Sequence, residues 1–461
     1  MRLADLIKKE SVLWVLLIST QLFFFAYAQL HQHTKTADSD EYIYQAKNLV
    51  DHFSTYSGDY NASNLDISLY DRRTPGYPVF LILTKIIFNS DFLPLFLQCV
   101  LSLLNIFIGY KILKLISPDT KKTYLYLFFF LFFPSQFIYA TVFMTEILFQ
   151  ATLLLCIYYL LHFEKSGKYN YFYIYHVLLA IAYIIKPVAL FLWLGYSLYS
   201  IIAHNKRGIA RRQIAAALFH VLLLGSFFLK NYHQTGIAEY SGIGRKLLIN
   251  YNMPALLTFY ENETYAKNKI DSLQYILTNE SYASQCATTD LFIRQEITAH
   301  PLHFILLQGY GSIKFLLETG RWDLELWRIG YENVENIPSL KRTYSLNGIS
   351  GVLHELNRWS IFFLIYYGLV ILATIALFLL FVVSLFKKSI TRWHKLLLVS
   401  TIIYFALLSG PSASARFRLP VFPILVILAV SSFNKNEYPS LTSISQGRST
   451  NFRQKINKFK N

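Results

Sequence analysis

Apolar runs that approach or exceed the roughly 18–20 residues needed to cross a hydrocarbon core recur along this chain, and they limit its fold more than any other feature. The runs at 12–30, 92–116, 124–142, 147–163, 173–185, 188–203, 214–229, 359–386, 396–408 and 419–433 give about ten spans. The expected fold class is therefore an all-α polytopic membrane protein. The first run is too long for a signal-peptide core, and no small-x-small cleavage site follows it, so it reads as a retained helix. The stretch 79–88 is apolar but short, which suits a re-entrant or interfacial segment. Residues 302–317 contain Gln308, Lys314 and two glycines, which favours an interfacial helix over a spanning one.

Charge supports this topology. The formal net charge of +16 comes from basic residues placed where short inward loops fall, as at Lys121-Lys122, Lys165, Arg211-Arg212 and Lys387-Lys388. The positive-inside rule and an acidic leaflet account for them, so a nucleic-acid partner is not expected. Both termini read as cytoplasmic. The chain divides into an amino-terminal membrane module, 1–229, with a first external loop at 31–78. An external segment, 230–358, precedes the closing helices, 359–433, and a basic tail, 434–461. The three cysteines form neither a disulfide framework nor a zinc spacing.

Candidate chemistry gathers at the external ends of the spans. The first loop opens with Asp38, Asp40 and Glu41 on a stretch of helical spacing that would lie along the membrane surface. Asp38 with Glu41 three residues later also fits a capping box, and first-turn acids suit a helix dipole, so capping alone could explain them. A carboxylate at the boundary could instead act as general base towards a hydroxyl or amine. Arg72 and Arg73 in the same loop could bind phosphate bidentately, or simply snorkel to headgroups. Glu146, at the outer end of a span, is expensive among apolar residues and marks a functional position. The alternative is a helix start capped by Thr145. Lys186-Pro187 breaks an apolar run on the same side. Arg416 and Arg418 occupy a short outer loop where topology would not place them, which fits an anionic ligand or pairing with external acids.

His31, His33 and His52 could hold a divalent metal with the acids, although this spacing is a weak signal. No glycine loop for a nucleotide is present. Trp322 and Trp327 could stack on sugar rings or simply pack.

Taken together, these residues resemble the bacterial branch of the polyprenyl-phosphate-dependent integral-membrane glycosyltransferases with the GT-C fold. That branch is related to the protein O-mannosyltransferases and the lipid A aminoarabinose transferases. The resemblance rests on Asp38-Ser39-x-x-Tyr42-x-x-x-Ala46, Arg73-Thr74-Pro75-Gly76-Tyr77-Pro78, the stretch 134–149 with Glu146, Lys186-Pro187, Lys230-Asn231-Tyr232 and Arg416-x-Arg418-Leu419-Pro420. It implies transfer of a sugar from a polyprenyl-phosphate donor to a lipid, glycan or protein acceptor, at the external face of the cell membrane and with inversion. Asp38 would be the base and Asp40 the second choice. Glu146 would position the acceptor or a metal, and Arg72, Arg73, Lys186, Arg416 and Arg418 would hold the donor phosphate. Many relatives end in a sizeable soluble domain, whereas here the tail is short. Competing expectations are a flippase for lipid-linked glycans and a membrane glycan polymerase or ligase, neither of which requires Asp38.

Overall fold

The computed structural model describes residues 3–117, 119–204, 209–336 and 359–433, with a few positions (343, 348–351 and 354) in between. The basic tail, 434–461, and most of 337–358 lie outside the described residues. Everything regular among the described residues is helical. Six helices are long and apolar enough to cross a membrane: Glu10–Leu30, Phe92–Ile116, Glu146–Ser166, Ile209–Thr235, Ile361–Phe386 and Arg392–Ser412. Shorter apolar helical stretches run over Gly76–Ile86, Tyr169–Ile185 and Pro187–Ala203.

The helices used below are α1 (Leu3–Leu30), α2 (Ser39–Asp51), α3 (Gly76–Leu81), α4 (Phe92–Ile116), α5 (Thr120–Phe130), α6 (Pro134–Ile138), α7 (Glu146–Ser166) and α8 (Tyr169–Ile185). They continue as α9 (Leu192–His204), α10 (Ile209–Thr235), α11 (Ile243–Leu247), α12 (Met253–Tyr260), α13 (Glu263–Leu277), α14 (Tyr282–Ala299), α15 (Pro301–Leu317) and α16 (Arg321–Ile329). The last four are α17 (Ile361–Phe386), α18 (Arg392–Ser409), α19 (Ala415–Arg418) and α20 (Phe422–Ser431).

Two expected spans differ from continuous helices. The run 124–142 stops at Phe130, turns at Phe133 (φ −123°, ψ 77°), restarts as the short α6 and then runs irregularly to Thr145. Pro134 is the cause: it removes a backbone donor and pushes the residue before it out of helical geometry. The run 419–433 is likewise divided around Pro420 and Pro423 into a 3₁₀ turn and α20. All ten residues of α20 are buried, so it is an interior helix held between α17, α5 and α4. A helix that is apolar on every side belongs in such a core.

Helix α7 lies at the centre of the bundle, with 72% of its apolar window buried, whereas α10 has 11% and lies at the rim. Irregular backbone at the centre is tolerated only where its polar groups find partners, and buried amides supply them. Tyr77 donates to Gln98 Oε1 (2.6 Å), and the Gln98 amide donates to the carbonyls of Val142 (2.8 Å) and Ala140 (3.3 Å). Gln150 of α7 donates to Gln136 Oε1 and to the Leu419 carbonyl (2.7 Å), while Asn105 and Gln136 donate to its Oε1. These bonds fix the broken segments 139–145 and 415–421 against α4 and α7.

The first loop is tied down in the same way. The Phe143 amide donates to Thr34 O, and Ser39 Oγ donates back to Phe143 O. Thr74 Oγ1 donates to Ile185 O at the end of α8. Beside it, a Cβ on Gly76 would lie 2.7 Å from the Ile184 carbonyl oxygen, so glycine lets α3 reach α8 backbone to backbone. The later segment docks on this loop from the other side: Gly242 N donates to Asp71 O, Ser241 Oγ to Arg72 O and Tyr282 OH to the Asp71 carboxylate.

Residues 302–317, expected as an interfacial helix, are helical. Helix α15 packs through Leu307, Gly311 and Phe315 against α18 and the turn after it, and leaves Leu302, Ile305 and Ile313 exposed.

Gly76→Ala is expected to lower stability by about 1–3 kcal/mol, because the neighbour it meets is backbone and cannot yield as a side chain can. Thermal unfolding of the purified protein in detergent measures this, and an unchanged midpoint would mean that α3 and α8 can separate freely.

Candidate functional site

The chain turns that join the helices at one end of the bundle each carry a charge. Asp38 follows α1, Arg72 and Arg73 precede α3, Glu146 opens α7, Lys186 ends α8 and Arg416 lies in α19. The fold brings them into one row of alternating sign. Glu41 accepts from Arg72 Nη1 (3.1 Å) and Arg73 Nε (2.5 Å). Arg73 Nη2 reaches Asp38 Oδ1 (2.6 Å), and Arg416 Nη2 reaches Asp38 Oδ2 (2.7 Å). Arg416 Nε and Lys186 Nζ (3.0 Å) both donate to Glu146 Oε1. Arg73 also donates to Tyr42 OH (3.2 Å).

Burial makes these pairs matter. Glu146 is fully buried and Arg73 is 9% exposed. At low dielectric a carboxylate without a partner would cost several kcal/mol, so Glu146 depends on its cations. Helix ends add to this: Glu146 lies at the positive amino end of α7, and Lys186 at the negative carboxyl end of α8. Burial by itself would raise the Asp38 carboxyl, but Arg416 and Arg73 beside it hold it well below the usual carboxylate range.

Simple helix capping does not explain the acids. Asp38 stands at the start of α2 but makes no side-chain cap bond, because both its oxygens face arginines. Thr145 does not cap α7; its hydroxyl donates to Glu146 Oε2. Nor do Arg72 and Arg73 snorkel to headgroups, since carboxylates hold both. Pairing with acids, the alternative for Arg416, is what the structure contains.

Two sequence candidates stand apart from the row. Asp40 points outward from α2, is 58% exposed at its side chain and pairs with Lys35. Helical geometry separates it from Asp38: two residues on, a side chain lies on nearly the opposite face. Arg418 is fully buried away from the acids, and it donates to the carbonyls of Leu316 and Glu318 (2.5 Å each) with its guanidinium over Phe133 and Phe422. It closes the carboxyl end of α15, a structural task. Conversely, Glu41 belongs to the row, although the sequence suggested only a first-turn acid; its three-residue spacing from Asp38 was the available signal.

The histidines do not converge on the acids. His31 packs on Tyr27 (4.3 Å), His33 Nδ1 meets Trp327 O (2.7 Å), and His52 stacks on Tyr60 (4.2 Å). Among the described residues, no three His, Cys, Asp or Glu side chains group as metal ligands. Trp327 is buried between Phe24 and Tyr27, so packing describes it, while Trp322 is exposed.

The row is a candidate anion site. Arg72, Arg73, Lys186 and Arg416 are four cations facing the three carboxylates Asp38, Glu41 and Glu146, with the exposed Asp66 at the edge, 3.6 Å from Arg72. An arriving phosphate could take arginine donors now spent on Asp38.

Arg416→Met is expected to cost about 3–5 kcal/mol, since it leaves Glu146 with one cation in a buried place. Adding Glu146→Gln should recover part of that loss. A double-mutant cycle on unfolding midpoints decides it: strictly additive shifts would mean that the two residues are not coupled.

Residues 73–229, about a third of the chain, match the family model described as dolichyl-phosphate-mannose-protein mannosyltransferase. No curated protein matches the chain. The matched stretch holds Arg72's neighbour Arg73, the Gln98 and Gln150 networks, Glu146 and Lys186, and it supports a membrane glycosyltransferase of the GT-C type.

Proposed function

We propose that the chain transfers a sugar from a polyprenyl-phosphate donor to a hydroxyl or amine acceptor, with inversion at the anomeric carbon and with Asp38 as general base. The observation that carries this reading is the bridging of Asp38 by two arginines on separate elements, next to a buried acid that holds a further lysine. The family match lends support for the reaction class. We place the site on the external face of the cell membrane, since short basic loops mark the opposite ends of the spans.

In this scheme the donor phosphate docks among Arg73, Arg416 and Lys186, with Arg72 at the outer edge. Asp38 then accepts the acceptor's proton as the acceptor oxygen or nitrogen bonds to the anomeric carbon. The bond from that carbon to the phosphate oxygen breaks, and its electron pair leaves on polyprenyl phosphate. Cations beside the leaving oxygen stabilise the added charge. Glu146 keeps Arg416 and Lys186 in place.

Asp38 in its present setting is a weak base, because two guanidinium groups favour its ionised form. A base works best with a pKa near the operating pH. Donor phosphate that draws Arg416 and Arg73 away would raise the Asp38 pKa and add a nearby negative charge of its own. Basicity would then follow donor occupancy.

Two measurements test this on the purified protein with labelled polyprenyl-phosphate sugars. Asp38→Asn is expected to lower kcat by about a hundredfold or more while donor still binds, the usual scale for losing a general base. The acid limb of kcat, which reports donor-bound enzyme, should lie at higher pH than the acid limb of kcat/KM for the donor. Coincident limbs would contradict the coupling of donor binding to basicity. Full turnover by Asp38→Asn would remove Asp38 as base, whereas a wild type silent across a donor panel that serves a control enzyme would direct attention to glycolipid translocation.

A further inference from the structure

Every cation in the charged row already holds a carboxylate. Arg72 is bonded to Glu41, Arg73 to Asp38 and Glu41, Lys186 to Glu146, and Arg416 to Asp38 and Glu146. A phosphate that takes donors from them must displace those acids, and the exchange cancels part of the gain. One further cation approaches the row from the external segment with no such partner to give up.

That cation is Lys246, on α11. The strip 70–72, just ahead of Arg73, fixes α11 in place. Lys230 Nζ donates to Tyr70 O (3.2 Å), Gly242 N to Asp71 O (3.1 Å) and Ser241 Oγ to Arg72 O (2.9 Å). A Cβ on Gly242 would lie 2.7 Å from Asp71 Oδ1, so glycine permits this close approach. On the other side Arg245 bonds Asp290 of α14 (2.8 Å) and Glu239 (3.0 Å). Lys246 is one residue on, about 100° further round the helix, and so faces away from those acids.

It turns towards the row instead. Burial pulls the Lys246 ammonium below its ordinary value, and the charges acting on it are those of Arg72, Glu41, Arg73 and Asp38. Lys246 is half-buried. Among the described residues its ammonium makes no ion pair, hydrogen bond or ring contact. The two acids within its influence, Glu41 and Asp38, are already held by arginines. A half-buried cation beside two others, with no acid of its own, is poorly compensated, and an anion arriving at the row would correct this.

We propose that Lys246 is a phosphate-binding residue supplied by the external segment, taking the substrate phosphate at the Arg72 end of the row before Arg73 and Arg416 release Asp38. The assignment rests on the transferase reading. The donor is a phosphate diester with one negative charge, and rupture of its bond to the anomeric carbon leaves a second charge on the departing oxygen. Attraction to Lys246 grows with that charge, so the lysine favours the leaving group over the donor.

The test uses the full-length protein in detergent at about pH 8, well above the second phosphate pKa of about 6. The probes are polyprenyl phosphate, its methyl diester and phosphatidylglycerol. Lys246→Gln should keep the wild-type unfolding midpoint without ligand, because no bond is lost. Its affinity for polyprenyl phosphate should fall about tenfold or more, the scale of one charge-assisted contact. For the methyl diester the loss should be about threefold, since half the charge gives about half the attraction. Phosphatidylglycerol binding should not change, and Lys246→Arg should recover most of the affinity. Lys246→Met decides if Lys246→Gln does not fold, and failure of both to fold would mark Lys246 as structural and overturn the assignment. A folded variant that binds polyprenyl phosphate as wild type does would also overturn it. So would an equal loss for phosphatidylglycerol, which would make Lys246 a general headgroup contact. Wild type that binds no polyprenyl phosphate would overturn the transferase reading and this assignment with it, so the two failures are distinguishable.

Discussion

Arg416 is the residue on which the site turns. It leaves a short break between α18 and α20 and bonds two carboxylates that lie far apart in the chain, Asp38 and Glu146. Through Asp38 the row reaches Arg73 and Glu41, and through Glu146 it reaches Lys186. Burial makes the arrangement cooperative. Each acid is stable only with its cations, and each cation is positioned only by its acids, so the ends of five separate segments are held in register. In the proposed reaction an incoming phosphate, a bidentate partner for arginine, would compete with Asp38 for Arg73 and Arg416.

That row would have no fixed position without the amides beneath it. Gln98 and Gln150 donate to the carbonyls of broken backbone at Ala140, Val142 and Leu419, and Gln136 and Asn105 hold Gln150 by donating to its Oε1. Breaks at Pro134 and Pro420 expose peptide groups that cannot face lipid. Glutamine side chains, long enough to cross from one helix to the next, settle those groups and thereby aim the segments carrying Glu146 and Arg416. Helix ends and proline breaks are thus the source of the site: they supply both the irregular loops and the dipoles that suit the charges.

Much was legible in the sequence, for identifiable reasons. Apolar length read correctly as helix, since backbone satisfaction in a bilayer leaves few alternatives. Glu146 stood out because a charge among so many apolar residues is costly, and Arg416 because the positive-inside rule would not place it in a short outer loop. Asp40 and Arg418 were misplaced by proximity: each sits within two residues of a member of the row, and only helical rotation separates them. The runs 124–142 and 419–433 were read as single spans, because hydropathy is insensitive to a proline that divides an apolar stretch into two short helices.

The sequence by itself determined that this is a helical membrane protein, that charges collect at one end of its helices, and that Glu146 and Arg416 are unusual where they stand, while Asp38 could have been a cap and Arg73 a headgroup contact. Composition and spacing suffice for this, because lipid penalises every unpaired polar group locally. Only the tertiary structure decided which acid meets which cation, and that Asp38 is bridged where a capping residue was equally plausible. Those outcomes depend on contacts between segments up to hundreds of residues apart, such as Asp38 with Arg416, and no local rule carries that information.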